Sequence, residues 1–455
     1  MTVHNPILEG KIWKQLLVFF FPILIGSFFQ QLYNMVDTFV VGRYVGTDAL
    51  AAVGTTGSVI SLLVGFFVGI ASGATVIISQ YYGAGSEEQV GRAVHTGIAF
   101  SLMAGVLLMI VGISTAKPVL RLMNVPDDII NDSATYMQVY YAGIIGNLIY
   151  NIGTGILRAV GDSKRPLYIL IVCCMVNIVL DLSFVLVLHW GVFGVAFATI
   201  LSQLISAILI LVCLMRTHDI YRLSVRKIRL YVVEFKEMLR IGLPSGMESV
   251  LYSISNVLMQ TAINGFSTAA IAAWSTIGKI DAVMWMVMQA FGISISTFVG
   301  QNFGARQYDR VKQGVKIGLG MNLVSIFVIS LIIYIFGGVF LGIFTVDQDV
   351  ISIGTGFLRI FAPAYIVYVL INVFSATIRG CGEAVQPMII TVFGICGLRI
   401  LWLVVALPLH HTMNMVALSY DVSWVATGII FTIYYLRGHW FARCKARQSI
   451  AQHIE

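Results

Sequence analysis

Twelve long apolar stretches alternate with short polar segments along this chain. Each is close to or above the roughly 20 residues that a helix needs to cross a hydrocarbon core about 30 Å thick. The stretches lack the two-residue alternation of half-buried strands, and a helix satisfies its own backbone hydrogen bonds in lipid. The pattern predicts an all-α polytopic membrane protein. Its twelve transmembrane helices have approximate cores at 15–43, 50–79, 91–116, 132–159, 165–189, 191–215, 241–266, 270–300, 312–340, 350–379, 387–409 and 413–436.

The second half of the sequence repeats the first, with an offset of 221 in residue number. Residues 80–84 (QYYGA) return as 301–305 (QNFGA), and residues 158–166 return as 379–387. A period this long indicates a duplicated domain rather than a solenoid. Each copy holds six predicted spans, so both copies have the same orientation in the membrane. We expect two pseudo-symmetric six-helix bundles related by a pseudo-two-fold axis along the membrane normal.

Composition and charge support a membrane location and set the orientation. Of the 455 residues, 58% are hydrophobic and 11% are charged, whereas soluble proteins average about 25% charged. With both termini in the cytoplasm, 22 of the 28 Lys and Arg residues lie on the cytoplasmic side and three on the outer side. This matches the excess of Lys and Arg that membrane proteins carry in their cytoplasmic loops. The net charge of +7 is therefore an orientation signal, and we expect no nucleic-acid partner. The chain is predicted to be a multi-pass protein of the cell (inner or plasma) membrane.

Three parts follow from the spans and the charge. They are an N-lobe at 1–218, a cytoplasmic basic linker at 219–240, and a C-lobe at 241–455 that ends in a cytoplasmic tail. The linker is amphipathic, which suits a helix lying on the inner leaflet, where anionic lipids would attract it. Charge that only sets orientation explains the linker equally well. Membrane lipid is the partner expected there.

Signatures of catalysis are absent from the sequence. There is no Walker loop, no HExxH motif and no CxxC pair. We therefore expect no enzyme activity, no cofactor, and no metal site beyond one that could hold Na⁺ as a coupling ion.

Acidic residues within the spans are the strongest functional candidates. Ionised side chains at mid-helix cost about 2.5 to 3.5 kcal/mol on insertion scales, so each is unusual in lipid. Five of the 21 acids qualify: Asp37, Asp181, Glu248, Asp281 and Asp421.

One polar level is predicted in the outer half of the first copy. Asp37, Asp181 and Thr199 lie about 9 to 13 Å from the outer ends of their helices. Asn177 shares a helix face with Asp181 by i, i+4 spacing. Two carboxylates, an amide and a hydroxyl suit a hard cation such as Na⁺, or an exchangeable proton, as the coupling ion. The alternative is a structural polar network that ties the helices together.

The second copy does not repeat this set. The residues at the corresponding offsets are Met259, Leu398, Trp402 and Tyr420. Only one hydroxyl remains there, so we predict that cation coupling belongs to the first copy.

Polar stripes on spans 1 and 7 predict where substrate binds. Each stripe follows helical spacing within an otherwise apolar span. The substrate-cavity candidates are Gln30, Asn34, Glu248, Tyr252 and Asn256.

Two intramembrane acids have alternative explanations. Glu248 either partners a cationic substrate or pairs with a buried base such as Arg399. Lys279 and Asp281 in span 8 are expected to balance each other's charge.

Several motifs, taken in order, resemble the multidrug and toxic compound extrusion (MATE) family. They are Pro22 with residues 31–37 (QLYNMVD), Gln80 with the turn 83–85, Arg158 with Gly161, Asp162 and Pro166, the pair Asn177 and Asp181, Thr199, and residues 242–244 (GLP). The resemblance covers almost the whole chain in both halves, and the combination of motifs is specific.

The resemblance implies a two-lobed, twelve-helix antiporter. Such a protein exports amphipathic, often cationic organic compounds in exchange for Na⁺ or H⁺, by alternating access. The family's N-lobe cation site maps to Asp37, Asn177, Asp181 and Thr199 of this sequence. One branch of the family also uses an acid in span 10, but residues 354–379 contain none. We expect a monomer.

A flippase of a related fold, for lipid-linked oligosaccharides or lipids, is the rival interpretation. It would need a basic cavity for a pyrophosphate, for which Arg359, Arg399 and Lys279 are candidates. The acids and amide near Asp37 would then have no explanation. A binding or scaffold protein would need neither intramembrane acids nor a duplicated core.

Overall fold

A computed structural model describes residues 5–410 and 412–453, in which all regular secondary structure is helical. The helices of the first half are α1 Pro6–Glu9, α2 Ile12–Val40, α3 Thr47–Gly83, α4 Glu87–Leu122, α5 Ile130–Ala142, α6 Ile144–Ala159, α7 Lys164–Leu182 and α8 Gly191–Arg216. Those of the second half are α9 Val232–Asn264, α10 Thr268–Gly304, α11 Tyr308–Gly342, α12 Gln348–Gly380, α13 Val385–Thr391, α14 Leu398–Val405, α15 Met413–Arg437 and α16 Trp440–His453. Three π-helical turns occur among these residues, at Val41–Val45, Ser183–Val187 and Val392–Gly397.

The twelve predicted spans are present, and the all-α polytopic fold class is confirmed. Ten segments of the described chain are long and apolar enough to cross a membrane on their own. The seventh predicted span is α9, which is long but more polar. The fourth is divided between α5 and α6, which meet at Gly143. A Cβ atom on Gly143 would lie 2.3 Å from the side chain of Ile200, so only glycine lets α8 pack this closely.

The turns that end corresponding helices have the same backbone conformation in both halves. Gly85 after α3 has φ +71°, and Arg306 after α10 has φ +59°. Gly161 after α6 has φ +93°, and Gly382 after α12 has φ +89°. In all four turns the amide after the left-handed residue donates to the carbonyl five residues earlier, which is the Schellman pattern. The duplication is therefore visible in the backbone as well as in the sequence.

Residues 21–246 form one compact unit, called here the first unit. It contains α3 to α8, most of α2 and the beginning of α9. Glycines bring α3 and α9 together, since a Cβ on Gly69 would lie 2.5 Å from the backbone of Gly246. A Cβ on Gly73 would lie 2.3 Å from the Met238 carbonyl. Small residues at such crossings let membrane helices pack by close backbone approach.

The surface helix expected for the linker is not formed over residues 219–231. This segment is irregular apart from a short 3₁₀ turn, and α9 begins only at Val232. Its backbone is instead bonded to α4, because the Ser224 amide donates to His95 Nε2 (3.0 Å) and the Tyr231 amide donates to Thr96 Oγ1 (3.1 Å). Amides that bond side chains of another helix are not available for a helix of their own.

The described residues up to 20 and from 247 onward form the second compact unit. It contains α10 to α16, the rest of α9 and α1. The short helix α1 is held by Asn5, whose amide nitrogen donates to Gln301 Oε1 (2.9 Å). The last helix, α16, is held by Gln448, whose amide nitrogen donates to carbonyls at the end of α10 (3.1 and 3.3 Å).

Candidate functional site

Two carboxyl groups of the predicted polar level meet in the first unit. Asp37 on α2 and Asp181 on α7 lie within hydrogen-bonding reach of each other. Asn177 stands one turn before Asp181 on α7, and Thr199 lies on α8, which packs along α7. Asn177 and Asp181 are 0% exposed and Thr199 is 3% exposed, whereas Asp37 is half-buried, so the cluster is shielded from solvent except at Asp37.

Acceptor atoms dominate this cluster. Asp37 Oδ1, both carboxylate oxygens of Asp181 and both polar atoms of Asn177 have no hydrogen-bond partner among the described residues. Thr199 Oγ1 donates to the Val195 carbonyl (3.0 Å), which leaves its lone pairs able to accept. Burying charge without compensating bonds is costly. A bound cation or a shared proton would therefore stabilise these two carboxyl groups, which face each other without a hydrogen-bond donor between them.

Two polar neighbours of the cluster were missed by the sequence analysis. Tyr33 lies beside Asp37 and within hydrogen-bonding reach of Thr199. Gln203 follows Thr199 by one turn of α8, and its Oε1 is buried without a hydrogen bond of good geometry in the described chain. Helical spacing could have identified both, because each stands four residues from a predicted site residue.

Two tyrosines of α5 close the cluster from another side. Tyr136 lies near both Asp37 and Asp181, and Tyr140 lies near Asp37. Their rings stack with centroids 6.5 Å apart. No sequence signal set these tyrosines apart from the many aromatic residues that pack between membrane helices.

Each of three ionisable residues within the spans stands close to a π-helical turn. The turn Val41–Val45 begins four residues after Asp37, and Ser183–Val187 begins two residues after Asp181. The third turn ends two residues before Arg399, which is 0% exposed. A π turn bonds residue i to i+5, so it holds one residue more than an α turn, and such turns are frequent at functional sites.

The extra residues explain how the offset between the two copies changes along the chain. From Pro22 to Pro244 the offset in residue number is 222. Beyond the π turn Val41–Val45 of the first copy the offset falls to 221, as shown by the matching turns at Gly161 and Gly382. One residue inserted in the first copy accounts for the difference.

The third π turn changes which residues of the second copy correspond to the cation-site candidates. Because that turn adds a residue to the second copy, the offset beyond it returns to 222. The equivalent of Asn177 is therefore Arg399, rather than Leu398 as a constant offset gives. The equivalent of Asp181 likewise moves one position on from Trp402, to another apolar residue.

The second unit has an apolar cluster where the first unit has its polar one. Met259, the equivalent of Asp37, is 1% exposed and packs with Ile263 and Val416. Tyr420, the equivalent of Thr199, packs against the same cluster. The second unit thus keeps the helical frame without the carboxylates.

Glu248 forms an ion pair, but with a different base from the one predicted. Its Oε2 lies 3.3 Å from Arg379 Nη1, and the two side chains are 15% and 29% exposed. Arg379 Nη2 also donates to Ser375 Oγ (2.6 Å). The pairing interpretation is therefore realised with Arg379 in place of Arg399.

The remaining substrate-cavity candidates differ in exposure. Gln30 and Asn34 in the first unit are exposed, as is Asn256 in the second, while Tyr252 is half-buried. Their role in binding substrate stays a prediction.

The expected pair of Lys279 and Asp281 is not formed. Asp281 accepts a hydrogen bond from Trp285 Nε1 (2.7 Å) and another from the Tyr365 hydroxyl. The Lys279 ammonium lies 5.0 Å from the centroid of the Phe344 ring. Residues two apart on a helix do not face each other, which is why the two charges do not meet.

Comparison with known proteins gives a consistent picture. The family model described as MatE matches residues 22–183 and again residues 244–405. The starts and the ends of these two segments both give the offset of 222 that the π turns require.

Relatives match over nearly the full chain. A protein of Bacillus subtilis named Probable multidrug resistance protein YoeA is 30% identical over 93% of this chain and 94% of its own. One of Thermotoga maritima named Probable multidrug resistance protein NorM is 27% identical over 95% of this chain and 94% of its own. A solved structure described as the outward-facing conformation of a multidrug resistance MATE family transporter has a TM-score of 0.86 at 23% identity, over 99% of both chains. At that identity the likeness concerns the fold.

Proposed function

Because the chain belongs to the MatE family, whose members are membrane transporters and not enzymes, we propose that it is a secondary active multidrug efflux antiporter. It exports amphipathic, often cationic organic compounds in exchange for Na⁺ or H⁺, by alternating access. Support comes from relatives that carry multidrug resistance in their names. These names favour drug export over the flippase alternative.

The coupling proposal rests on one observation. Asp37 and Asp181 lie within hydrogen-bonding reach of each other, with no hydrogen-bond donor between them. A cation or proton bound there removes the cost of two buried, unpaired charges. If the ion binds one conformation more tightly than the other, its binding shifts the population between them. Asn177 and Thr199 would supply further oxygen ligands to Na⁺. No cofactor is needed for this exchange.

Coupling is assigned to the first unit alone. The equivalents of Asp37 and Asn177 in the second unit are Met259 and Arg399, which offer no oxygen ligand. Glu248, already paired with Arg379, would then tune the choice of substrate rather than bind the coupling ion.

Efflux from vesicles tests the proposal. Purified protein is reconstituted into lipid vesicles. The vesicles are loaded with a fluorescent organic cation, and a Na⁺ or proton gradient is imposed across their membrane. Asp37→Asn and Asp181→Asn should each abolish gradient-driven efflux while insertion into the membrane is retained. The exposed Asp132→Asn serves as the matched control and should transport normally. Undiminished efflux in either buried-site variant would remove these residues from the mechanism, and a wild type indifferent to both gradients would contradict antiport.

We further propose that the protein is a monomer in the cell (inner or plasma) membrane, with both termini in the cytoplasm. Asp128 and Lys164 are exposed and belong to segments predicted to face opposite sides. A cysteine at Asp128 should react with an impermeant maleimide from outside, and one at Lys164 only from the cytoplasm. The reverse result would contradict the orientation.

A further inference from the structure

The linker, residues 219–240, is fixed to the first unit at the level where the predicted spans end. Its chain folds back after α8, because the Leu223 amide donates to the Leu214 carbonyl (3.0 Å), one residue before the end of predicted span 6. Two further linker amides donate to His95 and Thr96 of α4. These two residues lie about 6 to 8 Å inside the start of predicted span 3 at residue 91. The linker therefore lies along the membrane boundary.

Acidic and basic side chains of the linker point in opposite directions. Asp219 and Glu237 each accept a hydrogen bond from a tyrosine hydroxyl at the end of α3. The third acid, Glu234, is 3% exposed and lies 4.0 Å from Arg92 of α4. By contrast, all six bases of the linker are exposed: Arg222, Arg226, Lys227, Arg229, Lys236 and Arg240. The outward-facing charge of the linker is therefore positive.

Branched apolar side chains are exposed among these bases. Val225, Val232 and Val233 are 66%, 63% and 65% exposed, and Leu230 is 36% exposed. Exposed apolar side chains are expected on a membrane span, where lipid covers them. These four lie outside the predicted spans, in the segment that joins spans 6 and 7. An exposed apolar patch bordered by polar residues marks a surface that binds a partner.

One aromatic ring positions a guanidinium group of this surface. The guanidinium carbon of Arg229 lies 4.5 Å from the centroid of the Tyr231 ring, and that of Arg92 lies 5.7 Å from it. Arg92 also lies beside two acids, Glu88 and Glu234. No ion pair joins Arg229 to an acid in the part of the chain that the structure describes. Arg229 is thus held in place by a ring and keeps its N–H groups for an external anion.

We propose that the linker binds anionic phospholipids of the inner leaflet. Arg226, Lys227 and Arg229 hold the lipid phosphate, and the exposed valines contact the acyl chains. The partner has to carry negative charge, to offer an apolar surface and to lie at the membrane boundary, and an anionic phospholipid meets all three conditions. The irregular linker backbone presents this surface without the surface helix that its sequence suggested. The inference goes beyond transport, and only the choice of leaflet rests on the proposed orientation.

Native mass spectrometry of the full chain, released from detergent micelles, tests lipid binding directly. The probes are phosphatidylglycerol and phosphatidylcholine with the same acyl chains, which differ in net charge. The protein should bind the first phosphatidylglycerol at least about tenfold more tightly than the first phosphatidylcholine, because several bases face the same phosphate. Equal binding of the two lipids would overturn the proposal.

Variants assign the preference to the linker. Arg226→Gln, Lys227→Gln and Arg229→Gln combined should abolish the preference for phosphatidylglycerol. The matched control combines Lys312→Gln, Lys316→Gln and Arg437→Gln, which remove the same charge from exposed sites of other segments predicted to be cytoplasmic. The control should keep the preference. An equal loss in both triple variants would show a general effect of net charge and would refute the assignment to the linker.

The apolar side chains separate a lipid site from a site for any phosphate. Val225→Ser, Val232→Ser and Val233→Ser combined keep every base but should weaken phosphatidylglycerol binding several-fold, since the acyl chains lose their contacts. Glycerophosphate, which has the phosphate without acyl chains, should not displace the lipid at equal concentration. Displacement by glycerophosphate, or full lipid binding in the triple serine variant, would refute the lipid as the occupant.

Photocrosslinking in nanodiscs locates the bound lipid. A phosphatidylglycerol with a diazirine on its acyl chain should label residues 225–233, and label confined to the spans would contradict the proposal. Both faces of a nanodisc are accessible, so this result does not depend on orientation or on transport. Efflux in vesicles without a preference for phosphatidylglycerol would refute the lipid site alone. Lipid binding at the linker in a protein that transports no cation under either gradient would support the site and refute the proposed antiport.

Discussion

Arg306 in the second half adopts the same left-handed backbone conformation as Gly85 in the first half. The two residues correspond to each other in the repeat, with φ +59° and +71°. An L-residue other than glycine is disfavoured in this conformation by about 1 to 2 kcal/mol. The turn after α10 therefore stores strain that the turn after α3 does not.

Arg306→Gly should relieve that strain and stabilise the protein by about 1 kcal/mol, less the added freedom of glycine in the unfolded chain. Gly85→Ala should destabilise it by a similar amount, although no atom lies within 4 Å of the added Cβ. Thermal unfolding in detergent, followed by helix content, measures both. A lower midpoint for Arg306→Gly would show that the arginine side chain contributes more than its backbone costs.

Thr199→Val should weaken binding of the coupling ion by about tenfold while the fold is preserved. The change keeps the shape of the side chain but removes an oxygen that can act as a ligand, and a tenfold change corresponds to about 1.4 kcal/mol. The ion concentration that gives half-maximal efflux measures it. Thr56→Val on α3, another buried threonine bonded to its own helix, is the control. If Thr199→Val reaches half-maximal efflux at the same ion concentration as the wild type, the hydroxyl is excluded as a ligand.

Glu248→Gln should weaken transport of cationic substrates more than that of neutral ones, since a partly buried carboxylate distinguishes them electrostatically. It should also cost about 1 to 3 kcal/mol of stability, because Arg379 loses its partner. The double variant with Arg379→Gln should recover part of that stability. If the stability lost in the double variant equals the sum of the losses in the two single variants, the ion pair itself contributes nothing to stability.

The same variant also tests where the coupling ion binds. Cation binding without substrate should survive in Glu248→Gln and be lost in Asp37→Asn. The opposite result would move the coupling site to the second unit.

His95→Phe should release the linker from α4. His95 Nε2 accepts from the Ser224 amide (3.0 Å) while Nδ1 faces the Gly91 carbonyl (2.5 Å), so the ring acts as a neutral tautomer with its proton on Nδ1. Without the acceptor, hydrogen exchange at residues 222–231 should accelerate by about tenfold. Mass spectrometry of exchanged peptides gives the measurement, and exchange in α3 should not change. Undisturbed protection of the linker would show that Tyr231 and Thr96 hold it alone.

The spans, the duplication and the polar level could be predicted from the sequence, because each depends on spacing along a single helix or on length. Asp37 and Asp181 were predicted to share a level from depth alone, and the structure places them side by side. The two tyrosines of α5 could not be foreseen, since Tyr136 reaches the carboxyl groups only through the packing of α5.

The partner of Glu248 also lay beyond the sequence. Arg379 is distant from it along the chain and sits at the end of its span, where a long side chain can reach back along the helix. Contacts that depend on how far a side chain reaches are not encoded in helical spacing. The amphipathic pattern of the linker suggested a surface helix as one of two alternatives, and it gave no sign of the side chains on α4 that bind the linker's backbone.

The three π turns also carry a record of how the two halves diverged. An ordinary insertion within a spanning helix rotates every following side chain by about 100° and would disrupt its packing. Here each surplus residue is absorbed within one wide turn, and two lie in the first copy and one in the second. Deleting one residue from Val392–Gly397 should therefore restore an α turn, as at the corresponding place in α7, and leave Arg399 and the residues beyond it in their present positions. The halves of this transporter became chemically different through gained residues as well as exchanged ones, and each gain lies beside a charge.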